Sequence, residues 1–222
     1  MIPLKDDNPT VSFPLVTISL IVINIVVFFY EISLGPQFAP FLNTYGAKPL
    51  HIMSMSSPPG YPSPHFTIFS SMFLHGGFFH VAGNMLYLWI FGNNIEDSMG
   101  HFKFIIFYFI SGIIAVYIFA FVNPDSIIPM VGASGAVSGV LGAYLVLFPR
   151  AKVHTLIPLG FYMQVIKVPA VFVLGLWIFV QIINGMVSGG QGGGVAWFAH
   201  IGGFLAGVVL VGLFKKRREV RS

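Results

Sequence analysis

Residues 131–150 read VGASGAVSGVLGAYLVLFPR, an apolar block that runs from Ser134 to Phe148 and is stopped by Pro149 and Arg150. Wound as a helix, it reaches roughly 22 Å at 1.5 Å per residue, several ångströms less than the hydrocarbon core of a bilayer. Gly135, Ser138, Gly139 and Gly142 recur at helical spacing, as small residues do where membrane helices pack closely. The block therefore predicts a short helix that begins below the outer membrane surface. The stretch before it, Asn123 to Gly132, must then re-enter as irregular backbone, which a membrane tolerates only where protein or a water-filled cavity surrounds it. A buried, wet pocket is expected at the start of this helix.

Five further apolar blocks surround it, at about 12–31, 78–95, 102–122, 168–187 and 197–214, each near the length needed to cross about 30 Å of hydrocarbon. Of the 222 residues, 56% are hydrophobic and 8% charged, against about a quarter charged in soluble domains, which excludes an ordinary soluble fold. The expected fold is an all-α membrane protein, a six-transmembrane-helix bundle. A long outer loop joins helices 1 and 2, the fourth helix is short and starts inside the membrane, and residues 1–222 form a single membrane domain. The formal charge is +4, but the basic residues flank the apolar blocks and form no groove or stripe for nucleic acid. With six crossings, Lys5, Lys103, Arg150, Lys152, Lys167, Lys215, Lys216, Arg217, Arg218 and Arg221 share one side and Lys48 takes the other, placing both termini in the cytoplasm. MIPLKDDNPT at the N-terminus carries two Asp before the first block, unlike a cleavable signal peptide. Cysteine is absent, which removes thiolate chemistry.

Two outer connections stand out. The segment from about 33 to 77, rich in Pro and Gly, is too long for a simple turn and is expected to carry short interfacial helices. Ser188 to Val195 (SGGQGGGV) holds five glycines and no charge, the composition of a movable loop.

In this topology His80, Asn84, Ser134 and His200 all fall near outer helix ends, and polar groups at such depth are functional candidates by default. Ser134 sits in the first turn of its helix, where free N–H groups and the dipole favour developing negative charge; the competing reading is close helix packing. His200 precedes Gly202, Gly203 and Gly207, and the Gly203–Gly207 step is a small-xxx-small face able to press the last helix against the glycine-rich fourth. That brings an imidazole to Ser134 as general base, although a structural hydrogen bond explains a membrane histidine equally well. No acidic residue has a place as third member, so a Ser-His dyad fits better than a triad. His80 and Asn84, four apart, share a helix face and supply two side-chain donors for an oxyanion hole with the Ser134 N–H. A metal pair is the rival, but Asn is a poor transition-metal ligand and no acid or thiolate completes a shell.

Taken together, HGGFFHVAGN (75–84), GASG (132–135) and AHIGGFLAG (199–207), in this order over six spans, resemble the rhomboid family of intramembrane serine proteases. The resemblance implies that Ser134 is the nucleophile, His200 the base, and His80 and Asn84 oxyanion donors, with Gly132 and Ala133 at the substrate-binding position. It also implies a lateral gate, here about Val168–Val187 and the Gly-rich loop, and single-pass transmembrane proteins as substrates, cut near the outer end of their span. The sequence departs from the pattern at Ser138, where well-known bacterial members carry an aromatic residue stacked against the base, and in lacking an apparent Trp-Arg pair between 33 and 77. No cofactor or metal is expected. The expected partners are the lipid bilayer and transmembrane substrates, with no nucleic acid; no oligomeric state follows from these residues. The compact form suggests a multi-pass protein of a bacterial cytoplasmic membrane. The competing functions are a non-catalytic relative that grips membrane spans and a transporter prompted by the seven histidines.

Overall fold

The computed structural model describes residues 1–159, 162–188 and 195–216. The chain is a membrane helical protein. Four helices are long and apolar enough to cross a bilayer, α1 (Leu15–Ser33), α6 (His101–Val122), α8 (Ala170–Ser188) and α9 (Trp197–Phe214), and a shorter apolar helix, α7 (Ser134–Leu147), lies among them. A further 22-residue helix, α5 (Phe78–Met99), falls outside that set because His80, Asn84, Asn93, Asn94, Glu96 and Asp97 lower its hydropathy. Side chains such as Phe29, Phe121, Phe172, Val209 and Leu213 point outward and are exposed, an arrangement stable against lipid and costly against water.

The short helix is the hub. From Gly135 to Tyr144 every residue of α7 is buried, and its glycines are used where backbones meet. A Cβ on Gly203 or Gly207 of α9 would strike the carbonyl oxygen of Gly135 or Gly139, and one on Gly142 would strike that of Phe204. On its other side Gly135 abuts Ala115, and Gly139 abuts Ser111, both in α6. The small-xxx-small face read from the sequence thus sets the α7–α9 approach.

The segment 33–77 folds as α2 (Phe38–Tyr45), α3 (Pro49–Ser54) and α4 (Pro64–Ser70), with 3-10 turns at Gly35–Gln37 and Ser71–Phe73. This segment satisfies the irregular backbone that leads into α7. Ala47 and Met130 exchange N–H···O bonds of 3.0 and 2.8 Å, Leu50 N–H donates to Ser126 O at 3.0 Å, and Gly132 N–H donates to Ser71 O at 2.8 Å. Buried backbone groups need such partners, so the long loop is what allows the short helix. The Gly-rich loop lies largely outside the described residues.

The all-α expectation requires correction. Strands β1 (Ile2–Asp6), β2 (Lys152–Leu159) and β3 (Tyr162–Pro169) form an antiparallel sheet in the order β1-β2-β3. Lys5 pairs with His154, and Val153 with Val168. Val168, expected in the fifth span, therefore belongs to a strand, and the helix starts at Ala170. The signal was present in the β-branched residues of 152–168, bounded by Pro149 and Pro169; reading apolar content for span length hid it. Asp7, beside the sheet, accepts from Lys167 at 2.9 Å and contacts His154 at 2.6 Å, and these partners hold its carboxyl below the usual carboxylate range. Asp6 accepts from the hydroxyl of Tyr144, tying the sheet to the far end of α7.

Buried acids fasten the helices at both ends of the bundle. Glu31, near the end of α1, accepts from His75 N–H at 3.3 Å. Glu96 on α5 accepts from Val16 N–H, Thr17 N–H and the Thr17 hydroxyl at 2.8, 2.7 and 2.6 Å, satisfying free N–H groups at the start of α1 that have no partner within that helix. His101 Nδ1 lies 2.5 Å from the same carboxyl. Asp97 accepts from the N–H groups of Val11 and Ser12, while its carbonyl accepts from Lys216 Nζ at 2.8 Å, so residues 11–12 and 216 meet at one end. Replacing Glu96 with Ala strands these donors, and we expect about 2–4 kcal/mol of destabilisation, read as a lowered thermal midpoint in detergent. A Glu96→Ala protein melting with its parent would refute the capping role.

Candidate active site

Ser134 opens α7 behind an N-cap at Ala133. Being first in the helix, it keeps a free backbone N–H beside those of Gly135 and Ala136. The turn that aims it depends on Gly132, whose φ of +125° is strained for a residue with a side chain. A Cβ on Gly132 would lie 2.7 Å from His80 Nε2 and 3.4 Å from Ser134 Oγ. The glycine is therefore needed twice, for its backbone and for the space it leaves.

His80 and Asn84 project from the first two turns of α5, as their four-residue spacing predicts. Gly76 N–H donates to His80 Nδ1 at 3.4 Å, which assigns the ring proton to Nε2, the atom that faces Gly132. Asn84 is buried, and its amide nitrogen has no hydrogen-bond partner among the described residues. Buried donors are normally satisfied, so this nitrogen is a free donor beside the pocket. His75 stands behind His80, with ring centroids 5.2 Å apart, and its role is the backbone bond to Glu31.

His200 enters from the first turn of α9. Its ring lies 5.9 Å from that of Trp177 and 6.2 Å from that of Trp197. His200 Nδ1 is 2.8 Å from Gln181 Oε1 on α8, a contact that the sequence reading did not find. The signal available was a Gln in a span whose other strongly polar residue is Asn184, since a polar side chain at such depth is costly unless it has a partner. Ser138 offers the histidine nothing, since its hydroxyl donates to the carbonyl of Ser134 at 2.6 Å.

A cavity of about 1060 Å³ gathers these groups. Its lining includes His80, Asn84, Ser134 and His200, together with Asn123–Val131 and Gly76–Phe79. No hydrogen bond joins Ser134 Oγ to His200 among the described residues; such bonds commonly tighten only when substrate is bound. A smaller void of about 10 Å³ lies beneath Ser134, against Met72, Gly112 and Ala199. Chemically, the cavity offers a hydroxyl on a helix N-terminus, an imidazole with a free nitrogen, and three N–H donors. That set suits attack on a carbonyl and stabilisation of the oxyanion that results.

Comparison with known proteins shows one family. The Rhomboid domain matches residues 63–217. The mitochondrial Rhomboid protein 1 of Saccharomyces cerevisiae is 33% identical over 157 residues, which cover 67% of this chain and 42% of that protein. Rhomboid protease GluP of Bacillus subtilis is 31% identical over 212 residues, covering 92% of this chain and 37% of the relative. Rhomboid protease AarA of Providencia stuartii is 28% identical over 210 residues, covering 87% and 70%. The chain spans about half or less of several relatives that it matches.

Proposed function

We propose that this chain, which belongs to the rhomboid family of intramembrane proteases, is a serine endopeptidase that cuts single-pass transmembrane proteins near the outer end of their span. One observation carries the reading: Ser134, His200, His80 and Asn84 come from three helices far apart in sequence and line one cavity. In this reading Ser134 is the nucleophile, and His200 is the base. The Ser134 N–H, His80 Nε2–H and the Asn84 amide form the oxyanion hole, and the backbone at Gly132 and Ala133 binds the substrate chain.

The reaction follows from these roles. Ser134 Oγ adds to the scissile carbonyl carbon as His200 takes its proton, and the carbonyl π electrons move to oxygen, where the three donors stabilise the charge. The C–N bond then breaks, and the imidazolium gives its proton to the departing amine. Water, deprotonated by His200, adds to the acyl-enzyme; a carboxylic acid leaves, and Ser134 is restored. Irregular backbone is required for attack, so helix-weakening residues near the cut lower the cost of presenting it.

As spans we propose α1, α5, α6, α7, α8 and α9, in one membrane domain that includes the outer loop and the sheet. Alternating crossings put β1, β2, β3 and Lys216 on one side, and their basic residues make that side cytoplasmic. The protein then belongs to a bacterial cytoplasmic membrane, with both ends inside. The test is cleavage of a model single-pass substrate by purified protein in detergent. Asn84→Ala, which removes one donor of three, is expected to lower kcat by about 10- to 1000-fold without abolishing cleavage. An unchanged kcat would take Asn84 out of the oxyanion hole. Binding of substrate without any cleavage by the parent would favour the non-catalytic relative instead.

A further inference from the structure

Gln181 is the only polar side chain among the buried residues of α8, the others being Ala170, Val173, Leu174 and Gly185. Its amide is held at both ends. The nitrogen donates to the carbonyl of Trp177, one turn back, at 3.3 Å, and the oxygen lies 2.8 Å from His200 Nδ1. A backbone carbonyl only accepts, so the contact with Trp177 orients the amide with its NH2 group toward the helix and its oxygen toward the histidine. The atom facing Nδ1 is thus an acceptor, and Nδ1 carries the ring proton.

The geometry points to Gln181 as the positioning residue of the proposed base. By accepting Nδ1–H it selects the tautomer whose Nε2 has a free lone pair, the form able to take a proton from Ser134, and it limits rotation of the ring. Trp177, on the same face of α8, sets its ring 5.9 Å from His200 and packs at 6.0 Å from Phe204 one turn further along α9. Together they supply the support that Ser138, whose hydroxyl is spent on its own helix, does not. A carboxylate in this place would add charge stabilisation of the imidazolium, whereas a neutral amide supplies orientation alone. An interhelical hydrogen bond that merely joins α8 to α9 is the competing role, and it predicts a loss of stability with no selective loss of serine reactivity.

This inference rests on the protease reading, and the experiment separates the two. Purified full-length parent, Ser134→Ala, Gln181→Leu, Gln181→Glu and Gln181→Asn are compared for substrate kcat and KM, for thermal midpoint, and for the rate at which a fluorophosphonate labels Ser134. Labelling reports activation of the serine without requiring a membrane substrate. Gln181→Leu is expected to lower both kcat and the labelling rate by about 10- to 100-fold with KM within about twofold, and Gln181→Glu, which keeps an acceptor, to stay within about threefold of the parent. Gln181→Asn keeps the amide but shortens its reach, and should slow labelling at least about fivefold. Parental labelling by Gln181→Leu, or by Gln181→Asn should the leucine variant not fold, overturns the positioning role. Equal slowing by Gln181→Glu and Gln181→Leu does the same. A parent that neither cleaves nor labels at Ser134 overturns the protease reading itself.

Discussion

Ser134→Ala is expected to lower substrate cleavage by about four orders of magnitude or more while leaving the thermal midpoint unchanged. The two halves of this expectation have separate physical grounds. Ser134 Oγ makes no hydrogen bond among the described residues, and its helix is held by the packing of Gly135 to Tyr144, so removing the hydroxyl subtracts little from the fold. The chemistry has no substitute nucleophile in position. Ser138 lies one turn deeper, with its hydroxyl already donated to the Ser134 carbonyl at 2.6 Å, and Ser138→Ala should retain cleavage. His200→Ala should fall about as far as Ser134→Ala, and the double variant no further, because the pair acts as a unit. Cleavage that survives in Ser134→Ala but not in Ser138→Ala would reassign the nucleophile.

Gly207→Val should cost both stability and activity, although Gly207 touches no reacting group. A Cβ there would run into the carbonyl oxygen of Gly139 and lie 2.7 Å from its carbonyl carbon. Overpacking a close-packed interior typically costs about 1–3 kcal/mol, and a collision with backbone, which cannot swing aside like a flexible side chain, belongs at or above the upper end. Relief requires α9 to move off α7, and α9 carries His200. A displacement of about 1 Å at a catalytic group can cost about 100-fold in rate, so cleavage should drop even at temperatures where the variant remains folded. Gly212 provides the contrast, since nothing lies within 4 Å of a Cβ added there, and Gly212→Ala should melt and cleave as the parent does. Equal behaviour of Gly207→Val and Gly212→Ala in thermal unfolding would show that the α7–α9 contact does not position the site.

Glycine spacing made this contact legible in advance, because 203 and 207 share a helix face and small residues invite close approach. The same local logic placed α7 at 134–147, one residue from the expected end, and set His80 and Asn84 on one face of α5. It missed the strands Lys152–Leu159 and Tyr162–Pro169, leaving 149–167 as a plain connection and carrying Val168 and Pro169 into the fifth span. The sheet includes the pairing of Ile2–Asp6 with Lys152–Leu159, a contact across most of the chain.

By itself, then, the sequence determined the solvent, four long apolar helices and the short one among them, and it singled out four polar residues as candidates for the site, since each of these readings follows from hydrophobic period, block length or spacing within one helix. Tertiary structure alone decided that Gln181 would face His200, that Glu96 would satisfy the start of α1, and that Ala47, Leu50 and Ser71 would supply partners for the backbone entering α7. Each of these joins groups on different elements. A buried hydrogen bond depends on distances of a few tenths of an ångström and on which face each helix presents, and those quantities exist only once the helices have packed.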